Sequence, residues 1–347
     1  MPVAQGEIVD ADTKLMRQAN RLAANGDARA AIDLLMSANR QRRRFAFEKR
    51  LVQLRHEAFA QLPPSTPLAA WPPTVADPFP AGTDIPDIDV AELSTDTIAG
   101  GILHHGSIIV RNLVPRSQAR RLATDIDRAF EASDNARSGA SAPHQPPWYS
   151  PFKRFDGDPI GFGREFANDT GGVWVADTPR IMFDLIHLLE AINLGPMLAR
   201  YFGEPPALSV MKWTLRKVPV LAGADWHQDG AFLGDDIRTV NLWLALSRCG
   251  DVAPGLDIVP RRLDGIVETG TNGAHFPWSV GDATVEAVRQ DRAVERPIFR
   301  PGDAVLFDQR CLHRTAVSPA MSGPRFAVES WFFAPSTYPT DQVPLVF

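Results

Sequence analysis

Apolar residues recur at helical spacing in the first part of the chain, at Leu15, Ala19 and Leu22, then at Ala31, Leu34, Leu35 and Ala38. This spacing predicts helix over residues 12–62, broken at Asn25-Gly26-Asp27, where Asp27 can cap the helix that follows. A further amphipathic stretch, Phe45 to Leu62, comes after the basic run Arg40-Gln41-Arg42-Arg43-Arg44. Residues 63–89 hold eight prolines, which fix φ and remove backbone donors, so this stretch reads as a linker or surface strap. From Val90 the pattern is mixed. It predicts helix over Ala91 to His104, strand over Ser107 to Arg111 and helix over Ser117 to Ala132. An irregular segment follows at 134–180, then helix over Ile181 to Phe202. After Pro206 the texture changes to short β-type runs between turns: Leu208 to Val218, Trp226 to Asp229, Thr239 to Leu246, Leu256 to Val259, Ala304 to Asp308 and Phe326 to Phe333. Such strands predict a sandwich or jelly roll and not a βαβ sheet. The expected fold is mainly β with flanking α, divided into a helical extension at 1–62, the strap at 63–89 and a main domain at 90–347.

Composition narrows this picture. The 30 prolines in 347 residues are about 1.7 times average usage, which argues against a chain dominated by long helices. A net charge of -5 gives no whole-chain basic field, so nucleic acid and anionic lipid are disfavoured as partners, and the arginine run reads as a solvated helix face. No apolar run is long enough to span a membrane, and the start MPVAQGEIVDADTK lacks the features of a secretory signal. Cys249 and Cys311 are too few for a disulfide framework, which makes a reducing cytoplasm the expected location.

The candidate chemistry lies in the second half. In Trp226-His227-Gln228-Asp229, an imidazole and a carboxylate at i and i+2 of a strand would share one face, and these are two of the three ligands of a 2-His-1-carboxylate iron site. Farther along, Pro301-Gly302-Asp303 makes a turn, Ala304 to Asp308 a strand, and His313 follows it. Thr315 would share the face of His313, and Arg325 opens the next strand, where a guanidinium suits bidentate capture of a carboxylate.

With WHQD at 226–229, RPGDAVLFDQRCLHRT at 300–315 and RFAVESWFF at 325–333, the sequence resembles the phytanoyl-CoA dioxygenase-like family of Fe(II)/2-oxoglutarate-dependent dioxygenases. ELSTDTIAGGILHHGSIIVRNLVP at 92–115 is similar to that family's usual start, so the resemblance covers about 90–335. It implies a double-stranded β-helix core in which His227, Asp229 and His313 ligate Fe(II). It also implies that Arg325 with Thr315 holds the distal carboxylate of 2-oxoglutarate, and that Trp243 lies against the cosubstrate. The implied reaction consumes O2, releases succinate and CO2, and hydroxylates a small-molecule substrate; the carboxylate at position 229 favours hydroxylation over halogenation. Two departures stand out: Pro260-Arg261-Arg262-Leu263 where the family has Pro-Gly-Ser-His, and a slightly longer interval from His313 to Arg325.

Other signals have plainer readings. Cys311 and His313 lack the further cysteines of a zinc site, so Cys311 reads as a buried thiol. His104 and His105 sit where they can meet the last carbonyls of a helix, and His187 reads as a core residue. Trp148, Tyr149, Lys153, Arg154, Arg164 and Arg180 fall in or beside the irregular segment, either capping the site or facing water. Two alternatives stay open: a non-catalytic barrel whose N-terminal helices bind a partner or form a homo-oligomer, and a cupin-like metalloenzyme that does not use 2-oxoglutarate.

Overall fold

The computed structural model describes residues 3–63, 70–139, 146–221 and 223–347, with side chains from residue 11 onward. Its first helices are α1 (Val3–Ala24), α2 (Ala28–Gln41), α3 (Phe45–Phe59), α4 (Thr95–His105) and α5 (Arg116–Arg137). The later ones are α6 (Gly161–Asp169), α7 (Pro179–Ala191), α8 (Leu194–Phe202), α9 (Gly230–Leu233) and α10 (Asp282–Arg289). The strands are β1 (Asp87–Asp89), β2 (Ser107–Arg111), β3 (Gly172–Trp174), β4 (Ala207–Val218) and β5 (Thr239–Ala245), then β6 (Gly255–Ile258), β7 (Ala304–Phe307), β8 (His313–Ala316), β9 (Arg325–Phe333) and β10 (Pro344–Val346).

Local chemistry explains the helix boundaries. Asp27 accepts a hydrogen bond from the Ala30 N–H at 3.0 Å and starts α2 as predicted. Ser94 and Thr97 cap α4 reciprocally, and Gly106, at φ +81°, ends it. His104 and His105 do not meet the helix carbonyls as expected, because residues of the strap lie over this end: His104 Nε2 pairs with the Val75 carbonyl at 3.0 Å, and His105 meets Thr83 and Asp77. The predicted helix 181–202 is two helices, since Asn193 adopts φ +56° and the axes diverge by 73°. His187 is exposed on α7 and is not a core residue. The segment read as irregular contains α6 and β3, whose short periods are masked by Gly, Asp and Asn; residues 140–145, with His144, and residues 64–69 of the strap lie outside the described residues.

The main sheet runs in the order β1-β2-β7-β5-β9-β4-β10, with β3 also on β4, and it is antiparallel except for the parallel pair β1–β2. A second, two-stranded sheet pairs β6 with β8. Period-two alternation gives the main sheet two different faces. Val240, Leu242 and Leu244 of β5, Trp213 and Leu215 of β4, and Val328 and Phe332 of β9 join the cluster that packs under the helices. Trp243, Val305, Phe307, Ala327, Trp331 and Phe333 face the other way and pack with Leu256 and Ile258 of the small sheet. Helices hold more of the described residues than strands do, so the expectation of a mainly β chain is corrected. Prolines concentrate in the strap and turns, which leaves α1 and α5 free to run 22 residues each.

The N-terminal helices share the large core. Leu35, Phe47 and Leu54 are buried in the same cluster as the sheet's helix-side face, and Arg55 donates to the Val346 carbonyl at 3.1 Å. The arginine run is an ion-paired joint and more than a solvated face: Arg40 meets Glu190, Arg42 and Arg44 meet Asp12, and Arg43 meets Glu48 and Asp184. Among the described residues no single helix is long and apolar enough to cross a membrane.

Candidate active site

His227, Asp229 and His313 converge at one end of the small sheet, with their ligand atoms all within 4.8 Å of one another. The strand expected over Trp226 to Asp229 is reduced to a single bridge, in which His227 and His313 exchange backbone hydrogen bonds at 2.9 and 3.0 Å. Asp229 has already turned to helical angles, φ -64° and ψ -22°, at the start of α9. Convergence therefore comes from this turn and not from strand alternation. Between the two side chains, the buried Gln228 holds the segment in place: its amide donates to the Arg310 and Gly265 carbonyls, and its oxygen accepts from the Val267 N–H at 2.7 Å.

The protonation pattern suits a cation. The Nδ1 of His227 lies 2.8 Å from the Asp225 carbonyl, and the Nδ1 of His313 lies 3.1 Å from the Cys311 carbonyl. Only a protonated Nδ1 can donate to these acceptors, which leaves each Nε2 lone pair free for a metal. Burial, reinforced by the neighbouring His227 imidazole, pulls the His313 pKa down to about 4. The Nε2 of His313 is 3.6 Å from the Asp229 carboxylate, and the two imidazole centroids are 4.4 Å apart. Two imidazoles and a carboxylate on one side of an open cavity form the donor set of a facial iron site. Cys311, beside this centre, is buried with its thiol pKa pushed well up, so it remains a thiol.

These three side chains open into a cavity of about 780 Å³ that Thr315 and Trp243 also line. Arg325 lies behind its wall, buried, with its guanidinium 5.4 Å from the Trp243 ring centroid. One of its terminal nitrogens donates to the Gly255 carbonyl at 3.1 Å, whereas among the described residues Nε has no partner, and Trp243 Nε1 is likewise buried and unpaired. Buried donors left unpaired are costly, and a carboxylate entering beside them would satisfy them. Burial also lowers the Arg325 pKa to about 10, so it stays a cation at neutral pH. These observations fit a small dicarboxylate beside the metal ligands.

Sequence reasoning missed several lining residues: Lys212, Arg216, Asn241, Glu329, Phe232, Trp278 and Phe166. Parity could have found some of them, because Lys212 and Arg216 alternate with the core residues Trp213 and Leu215, and Glu329 stands four positions after Arg325. The loop side chains flagged earlier do not line this cavity. Arg164 pairs with the buried Asp177, Arg154 with Asp158, and Trp148 lies between the guanidiniums of Arg128 and Arg180. The departures are absorbed locally: Arg262 pairs with Asp308, Leu263 is buried, and the extra length precedes β9 in a turn around Met321.

The family model described as phytanoyl-CoA dioxygenase (PhyH) matches residues 103–319. The chain belongs to the phytanoyl-CoA dioxygenase family. Solved structures similar to this family member include AviO1 from Streptomyces viridochromogenes Tue57, at 19% identity and TM-score 0.42, covering 68% of this chain and 93% of that one. EctD from S. alaskensis, solved with 2-oxoglutarate and 5-hydroxyectoine, matches at 14% identity and TM-score 0.45, over 67% of this chain and 74% of that one. The non-heme alpha ketoglutarate dependent carbocyclase SnoK from nogalamycin biosynthesis matches at 12% identity and TM-score 0.43, over 66% and 80%. A comparison with curated proteins gives no match.

Proposed function

We propose that this family member is a non-haem Fe(II)- and 2-oxoglutarate-dependent dioxygenase that hydroxylates a small-molecule substrate. The reading takes the main sheet and the β6–β8 pair as the two halves of a double-stranded β-helix. His227, Asp229 and His313 would hold the iron, and Arg325 with Thr315 would hold the distal carboxylate of the cosubstrate, with Trp243 against its chain. Bound together, iron and 2-oxoglutarate supply O2 activation and substrate oxidation, with succinate and CO2 released. The chain's own residues do the positioning. The backbone carbonyls of Asp225 and Cys311 fix the imidazole tautomers, and Gln228 fixes the span between the first two ligands.

The observation that carries this reading is a two-histidine, one-carboxylate set opening into a cavity lined by Trp243, with the buried Arg325 guanidinium, whose Nε lacks a partner among the described residues, packed against that tryptophan ring. The retained carboxylate of Asp229 supports hydroxylation over halogenation. Calorimetric titration of the metal-free protein with Mn(II), then with 2-oxoglutarate, tests it. Binding of the keto acid only after the metal is expected, together with succinate formation when Fe(II), ascorbate and O2 are supplied. A protein that binds Mn(II) but never 2-oxoglutarate would instead be a metalloprotein of another kind.

A further inference from the structure

The cavity is much larger than a short keto diacid fills, and its mouth has a definite chemistry. Two aromatic rings flank the imidazole of His227. Phe232 is stacked on it at 6.5 Å and 28°, and Trp278 stands edge-on at 5.8 Å and 89°. Both are partly exposed, at 41% and 37%, and Phe276 stacks parallel to Trp278 at 5.2 Å and 2°. Large apolar rings left open beside the candidate metal ligands offer a surface that a flat apolar group would cover.

The charges in the cavity are nearly all matched. Arg216 pairs with Glu329 at 3.3 Å, and Asp169 at the rim pairs with Arg137 at 2.9 Å. In the reading above, Fe(II) is matched by Asp229 and one carboxylate of the cosubstrate, and Arg325 by the other. Lys212 is left over. Among the described residues no carboxylate lies within ion-pair distance of it, and its Nζ sits 4.1 Å from the centroid of Phe232, the same ring that stacks on His227. Asp229 and Glu329 act on it from beyond ion-pair distance, and both are already matched in this balance, so the partly desolvated ammonium is poised to take an anion. Burial lowers its pKa, a cost that a bound anion would offset.

We propose that the substrate class of this site is a ring-containing acid, with its apolar ring against the exposed rings of Phe232 and Trp278 at the cavity mouth and its one anionic group on Lys212. This rests on the dioxygenase reading, because the charge balance counts iron and 2-oxoglutarate as bound. The test uses protein loaded with Mn(II), which blocks turnover, and saturated with 2-oxoglutarate, so that the Arg325 position is filled. Calorimetric titrations then compare 2-naphthoate with 2-naphthamide, and hexanoate with hexanamide. Naphthoate is expected to bind about tenfold or more tightly than naphthamide, and more tightly than hexanoate, as a charge-assisted contact in a partly desolvated site implies. Lys212→Met should bring the acid-to-amide ratio close to one with Mn(II) and 2-oxoglutarate affinities unchanged, and Phe232→Ala should weaken both naphthyl probes alike.

Equal binding of acid and amide by the wild-type protein, or no binding of either, overturns the proposal and needs no variant that folds. Weakened 2-oxoglutarate binding in Lys212→Met with the acid preference intact also overturns it, by assigning Lys212 to the cosubstrate. Failure of the wild type to bind 2-oxoglutarate at all would refute the underlying reading, which separates the two failures.

Discussion

Acid should weaken the metal-free protein through His313, by an amount set by the burial of one imidazole. The ordinary pKa is 6.5 and the folded value is about 4, because desolvation and the adjacent His227 both disfavour the imidazolium. Above pH 6.5 the side chain is neutral in the folded and unfolded states, and its contribution to stability is fully present. Between 6.5 and about 4 the unfolded chain binds a proton that the folded site refuses, so stability falls with pH. A gap of about 2.5 pH units at 1.36 kcal/mol each amounts to ~3 kcal/mol by pH 4, a substantial part of the stability of a typical domain. Urea unfolding of chelator-treated wild type and His313→Gln, at about pH 7.5 and about pH 4, isolates this contribution. The buried Asp177 and Asp308, whose pKa values burial raises, titrate with the opposite sign, but they are common to both proteins and cancel in the difference. Wild type should lose ~3 kcal/mol more than the variant over this interval. Parallel losses would show that His313 is not held neutral by its surroundings and would refute the reasoning.

Three further outcomes follow from the packing and the site. Arg325→Met should leave Mn(II) affinity within about twofold and weaken 2-oxoglutarate by about 30-fold or more, as loss of a buried charge partner implies; equal loss of metal and keto acid in calorimetry would contradict the separate roles. Deletion of residues 1–62 should yield an aggregated or unfolded chain, because it uncovers the core around Leu35, Phe47 and Leu54 and removes Arg55 from the last strand; circular dichroism of a soluble, cooperatively folding truncation would show otherwise. Gly302→Ala should destabilise far more than Gly26→Ala: both have positive φ, +99° and +83°, but a Cβ at Gly302 would sit 2.2 Å from the Val114 carbonyl oxygen, whereas nothing lies within 4 Å at Gly26. Thermal unfolding should show about 1 kcal/mol at Gly26 and several at Gly302.

Much of the architecture was written in local patterns. Asp27 and Gly106 marked helix ends by capping chemistry, β2 and β5 stood out as short apolar runs between turns, and the order WHQD, His313, Arg325 named the residues that the fold brings together. These features depend on neighbours a few positions away, or on residue types whose chemistry is rarely combined by chance. Other features had no local signal. α6 and β3 lie among polar and glycine residues whose periodicity is weak, and β3 is a strand only through its pairing with β4. The arginine run looked like a wet helix face because its partners, Asp184 and Glu190, are far along the chain.

The sequence by itself determined which residues could ligate a metal, which cation could hold a carboxylate, and the alternation that gives each strand a core side and a cavity side, since these follow from side-chain chemistry and backbone period. Tertiary structure alone decided that Asp229 reaches the two imidazoles through a helical turn and that the proline strap crosses the end of α4. It also decided that the first three helices share the core of the sheet and that Lys212 forms no ion pair among the described residues beside the aromatic mouth. Those outcomes depend on which distant residues pack together and how deeply they are desolvated, and burial and pairing are properties of the folded chain as a whole.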